Sequence, residues 1–344
     1  MKVLHNIPAA AVLLSTFSFS GFAPVQAAAG AVVTKEDSSE PEVDKIVNGV
    51  ITDGPLPYQV RLTNANGGLC GGSLISSRVV LTAAHCFIHD NDGSPSSGTW
   101  IDPPFKFVQV NMYDINNPAG SGNITLSHAE QGVDIFTHPG YNPLVYPPHE
   151  NDIALVILPF GVQVQGVLEG EDIAYTKLNE DPEVPILGEA VFVSGWGWTS
   201  AEGPGSDILR ATLLGAIDCG KVEFEDHICA FGRSDGNPVS TCEGDSGGPV
   251  MIASHNYEDP SPATDPLLQV GIVSFGPVPC TGEYNAYTRV SSFVPWIKST
   301  ACEEVGELCS STKGKGQRQR QGKASASTKA SKSKSSKALS LSLI

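Results

Sequence analysis

Between residues 46 and 309 the chain repeats one texture: short β-branched and aromatic runs broken by Gly, Pro, Asn and Asp. The runs include YQVRL (58–62), RVVLTAA (78–84), FKFVQV (105–110), DIALVIL (152–158), AVFVSGWGW (190–198) and LLQVGIVSFG (267–276). That rhythm predicts an all-β sandwich or barrel. A body of this length can bury a sizeable core, divided into two sub-domains. Helical pattern is scarce until SSFVPWIKSTA (291–301), where a Ser caps a short terminal helix. Two long loops, 87–104 and 139–150, are expected as functional rims or inserts.

The ends differ from the body. Lys2, an apolar run over 7–22 and small residues at 25–27 make residues 1–27 a secretory signal peptide. Ser15, Ser18 and Ser20 break the apolar run, which argues against a membrane anchor, and no other segment is apolar enough to span a bilayer. A secreted, extracellular protein is expected. Residues 28–45 are polar and acidic and read as a pro-segment. Export makes the eight cysteines, at 70, 86, 219, 229, 242, 280, 302 and 309, disulfide candidates. Asn123 opens an Asn-Ile-Thr sequon in a Gly/Asn-rich stretch, a candidate for glycosylation on a surface loop.

Charge is divided unevenly. Residues 46–309 hold 9 Lys/Arg against 32 Asp/Glu, while residues 310–344 hold 9 Lys/Arg and no acid. A body so acidic excludes the basic face that nucleic-acid binding requires. The tail is Ser/Lys/Ala-rich without aromatics and cannot bury enough apolar surface to order itself. It reads as a solvated extension, or else as a tether to an anionic polymer or surface. The acids between 112 and 130 make no calcium-loop pattern, so no metal and no cofactor is expected.

TCEGDSGGPV at 241–250 needs a chemical reason for one Ser between an Asp and two glycines. Peptide hydrolysis requires a nucleophile, a base for its proton, a carboxylate to orient the base, and donors for the oxyanion. Ser246 has glycines at 244, 247 and 248, whose φ freedom permits a sharp turn with the Gly244 and Ser246 amides aimed at one spot. His85 stands in LTAAHC (81–86), and Asp152 opens a buried-looking apolar run, where a carboxylate is rarely left unpartnered. Each piece alone has a structural explanation. Together, in the order His, Asp, Ser along an exported β-rich chain, they point to acyl transfer.

Over residues 46 to about 300 the chain resembles the secreted serine proteases of the trypsin/chymotrypsin family. The matching stretches are IVNG (46–49), the CGGSLI to LTAAHC block (70–86), NDIAL (151–155), GWG (195–197), CEGDSGGP (242–249) and SFG (274–276). The resemblance implies two antiparallel Greek-key β-barrels, a short C-terminal helix, and a protease domain over 46–301 followed by a cysteine-bounded extension at 302–309. It implies an endopeptidase acting on protein or peptide substrates, with His85 as general base, Asp152 as its orienter and Ser246 as nucleophile. Gly244 and Ser246 would supply the oxyanion-hole amides. The pairings it implies are Cys70–Cys86, Cys219–Cys229 and Cys242–Cys280, which leaves Cys302–Cys309 as a local loop.

The same resemblance implies a zymogen cut between Lys45 and Ile46 by a protease that cleaves after Lys. The freed amine of Ile46 would pair with Asp245. In the primary pocket, Ser240 stands where an Asp would select Arg or Lys, so neither is expected as the favoured residue. Gly276 keeps one wall open, and Asn285 stands where a Gly is common. An open, chymotrypsin-like pocket for large apolar side chains is the expectation; an inward Asn285 would shorten it toward an elastase-like one. The alternative to an enzyme is a catalytically inactive binding module of the same fold, with the basic tail as tether. Such proteins usually carry a substituted triad residue, and none is substituted here.

Overall fold

A computed structural model describes residues 47, 49–63, 69–90, 98–100, 107–117, 124–127, 133–142, 150–162, 175–200, 203–220, 226–234, 236–252, 268–277, 280 and 284–309. All belong to the unit that ends at Cys309, and the second unit, residues 310–344, lies outside them. The signal peptide, the pro-segment, Lys45, Ile46, Asn123 and the basic tail fall outside the described residues.

The six apolar runs each become a strand, because each alternates or buries residues on a pleated face. Strands β2 (Gln59–Thr63), β3 (Leu69–Leu74), β4 (Val79–Thr82), β7 (Phe107–Val110), β8 (Ile124–Ser127), β9 (Asp134–Thr137) and β10 (Ala154–Ile157) form an antiparallel sheet. Its order is β8-β7-β2-β3-β4-β10-β9. The long loop after Phe87 contains a ribbon of its own, β5 (Ile88–Asp90) paired with β6 (Gly98–Trp100).

The second sheet closes on itself. Strands β12 (Ala190–Gly195), β13 (Arg210–Ile217), β14 (His227–Ser234), β16 (Pro249–Ile252), β17 (Leu268–Phe275) and β18 (Asn285–Arg289) run in the ring β13-β12-β16-β17-β18-β14, and β14 pairs back to β13. Closure removes exposed edges, which is how a barrel avoids unpaired backbone groups. Short strands β1 (Val50–Ile51) and β15 (Asn237–Val239) extend β13 and β14, and β11 (Lys177–Leu178) pairs parallel to β17. The expected two antiparallel barrels are therefore one closed six-strand barrel and one half-barrel sheet, with a C-terminal helix.

DIALVIL is buried from end to end for a period-2 reason. Ala154, Val156 and Leu158 face the half-barrel's core with Val60, Leu74 and Val108. Ile153, Leu155 and Ile157 face the other way, onto helix α1 (Val290–Val305), against Phe293, Val294 and Ile297. The helix is longer than the expected 291–301. No side chain caps its start at Arg289, and it continues until Gly306 (φ 71°) takes the left-handed conformation that ends it.

Cys302–Cys309 folds the chain back after this helix. In that loop Glu307 accepts hydrogen bonds from the Ser77 hydroxyl and, at 3.2 Å, from the Arg78 amide. The turn between β3 and β4 is thus tied to the helix end. Glu307→Ala is expected to lower unfolding stability by about 1 kcal/mol. An unchanged denaturation midpoint would show that the tie contributes nothing.

Candidate active site

After β4 the chain makes a single 3₁₀ turn, Ala84–Cys86, entered through an extended Ala83. Ala83 and Ala84 are fully buried, so His85 is projected from a fixed base. Cys86 is bonded to Cys70 on β3, which fastens the turn to its neighbouring strand. The His85 amide donates to Asp152 Oδ1 at 2.9 Å, and His85 Nδ1 lies 2.7 Å from Asp152 Oδ2.

Asp152 is fully buried two residues before β10, yet its carboxylate is served from both sheets. The Ser274 hydroxyl, from β17, donates to Oδ2 at 2.6 Å. The Thr288 hydroxyl, from β18, donates to the Asp152 carbonyl at 2.9 Å. Two further buried pairs hold the sheets together: Ser194 donates to Gln59 and Ser73 donates to Gln269, each at 2.7 Å. A carboxylate only accepts, so His85 Nδ1 carries the proton and Nε2 keeps its lone pair. Burial alone would lower the His85 pKa, but the charge and hydrogen bond of Asp152 outweigh it and raise the group above its ordinary value.

Ser246 sits in a turn packed on the first sheet. Its carbonyl accepts from the Gly71 amide at 2.6 Å and lies 3.8 Å from Cys86 Sγ, next to His85 in the chain. Within the turn, the amides of Asp245, Gly247 and Gly248 donate to Cys242, Val273 and Asp245 carbonyls. Those of Gly244 and Ser246 donate to nothing among the described residues. Gly244 has φ 95°, a conformation closed to most side chains. The loop therefore leaves two amides available around Ser246.

Asp245 points the opposite way, buried, with Oδ1 accepting from the Gly197 amide (2.8 Å) and Oδ2 from the Cys242 amide (3.0 Å). Burial pushes its pKa up to about 6, while the two amides pull it back. Val47 is buried against Cys242, Cys280 and Trp198, and its carbonyl accepts from the Ser240 amide at 3.3 Å. The remaining disulfides are Cys219–Cys229 and Cys242–Cys280.

Ser240 and Asn285 are both buried and joined, with 2.9 Å between Ser240 Oγ and Asn285 Oδ1. A Cβ on Gly276 would lie only 2.7 Å from that amide oxygen. The Asn285 side chain thus points toward Ser240 and Gly276. Strand β18 sets this direction, since Asn285 pairs with Ala230 on β14 and the pleat fixes the face its side chain takes.

Three contributors were not assigned from sequence: Ser274, Thr288 and Val47. Ser274 lies in the SFG run, and that was its signal. Cys70, His85 and Cys86 bring ligand-type atoms within 4.8 Å of one another. The two sulfurs are joined to each other, so they are not thiolates and the group does not fit a metal.

The family model described as Trypsin matches residues 46–297. The chain belongs to the trypsin family of serine proteases. Among curated members, it is 31% identical over 268 residues to serine protease SP24D of Anopheles gambiae, covering 74% of this chain and 81% of that one. It is 30% identical over 271 residues to chymotrypsin-2 of Vespa crabro, covering 74% of this chain and 98% of that one. The proclotting enzyme of Tachypleus tridentatus is 29% identical over 265 residues, and there the match spans 71% of this chain but 62% of the relative. No described helix is long and apolar enough to cross a membrane.

Proposed function

We propose that this chain is a secreted serine endopeptidase made as a zymogen cut after Lys45. In this reading residues 1–27 direct export, 28–45 form the pro-segment, 46–301 the protease domain and 302–309 a cystine-bounded extension. The basic tail, 310–344, is a solvated appendage. The observation that carries the proposal is the buried Asp152 carboxylate holding His85 Nδ1 at 2.7 Å, beside a Ser246 turn with two undirected amides.

Ser246 Oγ attacks the substrate carbonyl carbon while His85 Nε2 takes its proton. Asp152 stabilises the imidazolium that forms, and the Gly244 and Ser246 amides receive the oxyanion. His85 then returns the proton to the leaving amine, and water repeats the sequence on the acyl-enzyme. Desolvation favours each of these charge contacts, since the Asp152 carboxylate meets no solvent.

A fluorophosphonate probe tests this. The Lys45-cleaved protein is expected to be labelled at Ser246, and Ser246→Ala to lose the label entirely. Absence of label on the cleaved wild type would favour the inactive binding module.

A further inference from the structure

Asn285 and Ser240 leave a hydrogen-bonding account that does not close. The Ser240 hydroxyl has one proton and two acceptors in reach, the Thr241 carbonyl at 2.8 Å and Asn285 Oδ1 at 2.9 Å. If the proton goes to Asn285, its Nδ2 remains buried with no acceptor among the described residues. If the proton goes to Thr241, the amide must turn so that Nδ2 donates to Ser240, and then Oδ1 is left without a donor. In either arrangement one polar end of a side chain that is only 2% exposed has no partner among the described residues. Groups in that position favour a ligand that supplies the missing bond.

We propose, resting on the proteolytic reading above, that Asn285 and Ser240 form a short polar floor, and that the protein cuts after small hydroxyl side chains, Thr and Ser foremost. Depth sets the first half of the preference. The Asn285 amide reaches across to Gly276, so an aromatic or Leu side chain would overlap it, and overpacking of a fixed site is unfavourable. Charge sets the second. Ser240 offers no anion to a Lys or Arg, and a buried cation without a partner is disfavoured. The floor's unmatched amide sets the third. A hydroxyl both donates and accepts, so it serves whichever amide end is unpaired, whereas the methyl of Val or Ala serves neither.

The test uses the Lys45-cleaved full chain and peptides identical except at the residue whose carbonyl is cut: Thr, Ser, Val, Ala, Leu, Phe or Arg. Thr is expected to exceed its isostere Val in kcat/KM by about tenfold, and to exceed Leu, Phe and Arg by more. Asn285→Gly is expected to shift the Phe-to-Thr ratio upward by about a hundredfold, as the slot deepens. If that variant does not fold, the wild-type ratios still decide. Fluorophosphonate labelling of Ser246 runs in parallel. A protein that labels yet cuts best after Leu, Phe or Arg, or cuts after Val as well as Thr, or fails to cut after Thr and Ser, overturns the polar floor alone. A protein that neither labels nor cuts overturns the proteolytic reading and the floor with it.

Discussion

Asp152→Asn is expected to leave a folded protein whose turnover is lower by about 10⁴. The geometry says why. An Asn at this position keeps one acceptor oxygen, and the His85 amide at 2.9 Å claims it. The new NH₂ then occupies the place of Oδ2, facing His85 Nδ1 and the Ser274 hydroxyl. A donor there forces Nδ1 to accept, so the ring proton moves to Nε2, the atom that must take the proton of Ser246. Backbone contacts through the Thr288 hydroxyl are untouched, so circular dichroism and melting should change little. The pH profile gives a second readout. In the wild type kcat/KM rises with pH through the His85 titration, above the ordinary imidazole value, because the Asp152 charge and hydrogen bond outweigh burial. In the variant only burial remains, so the residual activity should persist to lower pH. Near-full turnover with an unmoved profile would refute the assigned role.

How much of this could be read from the chain depends on whether a feature is local. Strand runs such as AVFVSG and LLQVGIVSF were legible because period-2 burial is written in consecutive residues. That DIALVIL is buried was also legible, but not that α1 covers its second face, since the helix comes more than 130 residues later. The helix overran its expected end because nothing in STACEEV breaks a helix before Gly306. His85, Asp152 and Ser246 were legible as motifs. Ser274 was not, because a hydroxyl's acceptor lies in another sheet. Asn285 shows the sharpest limit. Its identity was plain, but inward or outward is a matter of register in β18, and one residue of slip would reverse it.

Lys45→Gln is expected to give a folded, exported protein with turnover lower by about 10³ or more, the scale on which an unformed oxyanion hole acts. The reason lies at Asp245. Its carboxylate is buried with amides of Gly197 and Cys242 as donors, and burial still lifts its pKa to about 6. The folded chain therefore binds this proton more tightly than the unfolded chain. Stability from this group is greatest where both forms are protonated, falls as pH rises from the ordinary carboxylate value through about 6, and then levels off. Near neutral pH a buried, charged Asp245 is therefore disfavoured, and conformations in which it swings out and takes the Gly244 and Ser246 amides with it gain by comparison. An amine freed next to Val47, already buried against Cys242 and Cys280, would supply the cation that reverses the sign. Melting of Ser246→Ala, which cannot digest itself, should then show a gap between cut and uncut forms that widens from pH 4 to pH 7. A gap independent of pH, or full activity in Lys45→Gln, would mean that the Ser246 turn holds its shape without a cation, and that its two amides owe their direction to Gly244 alone.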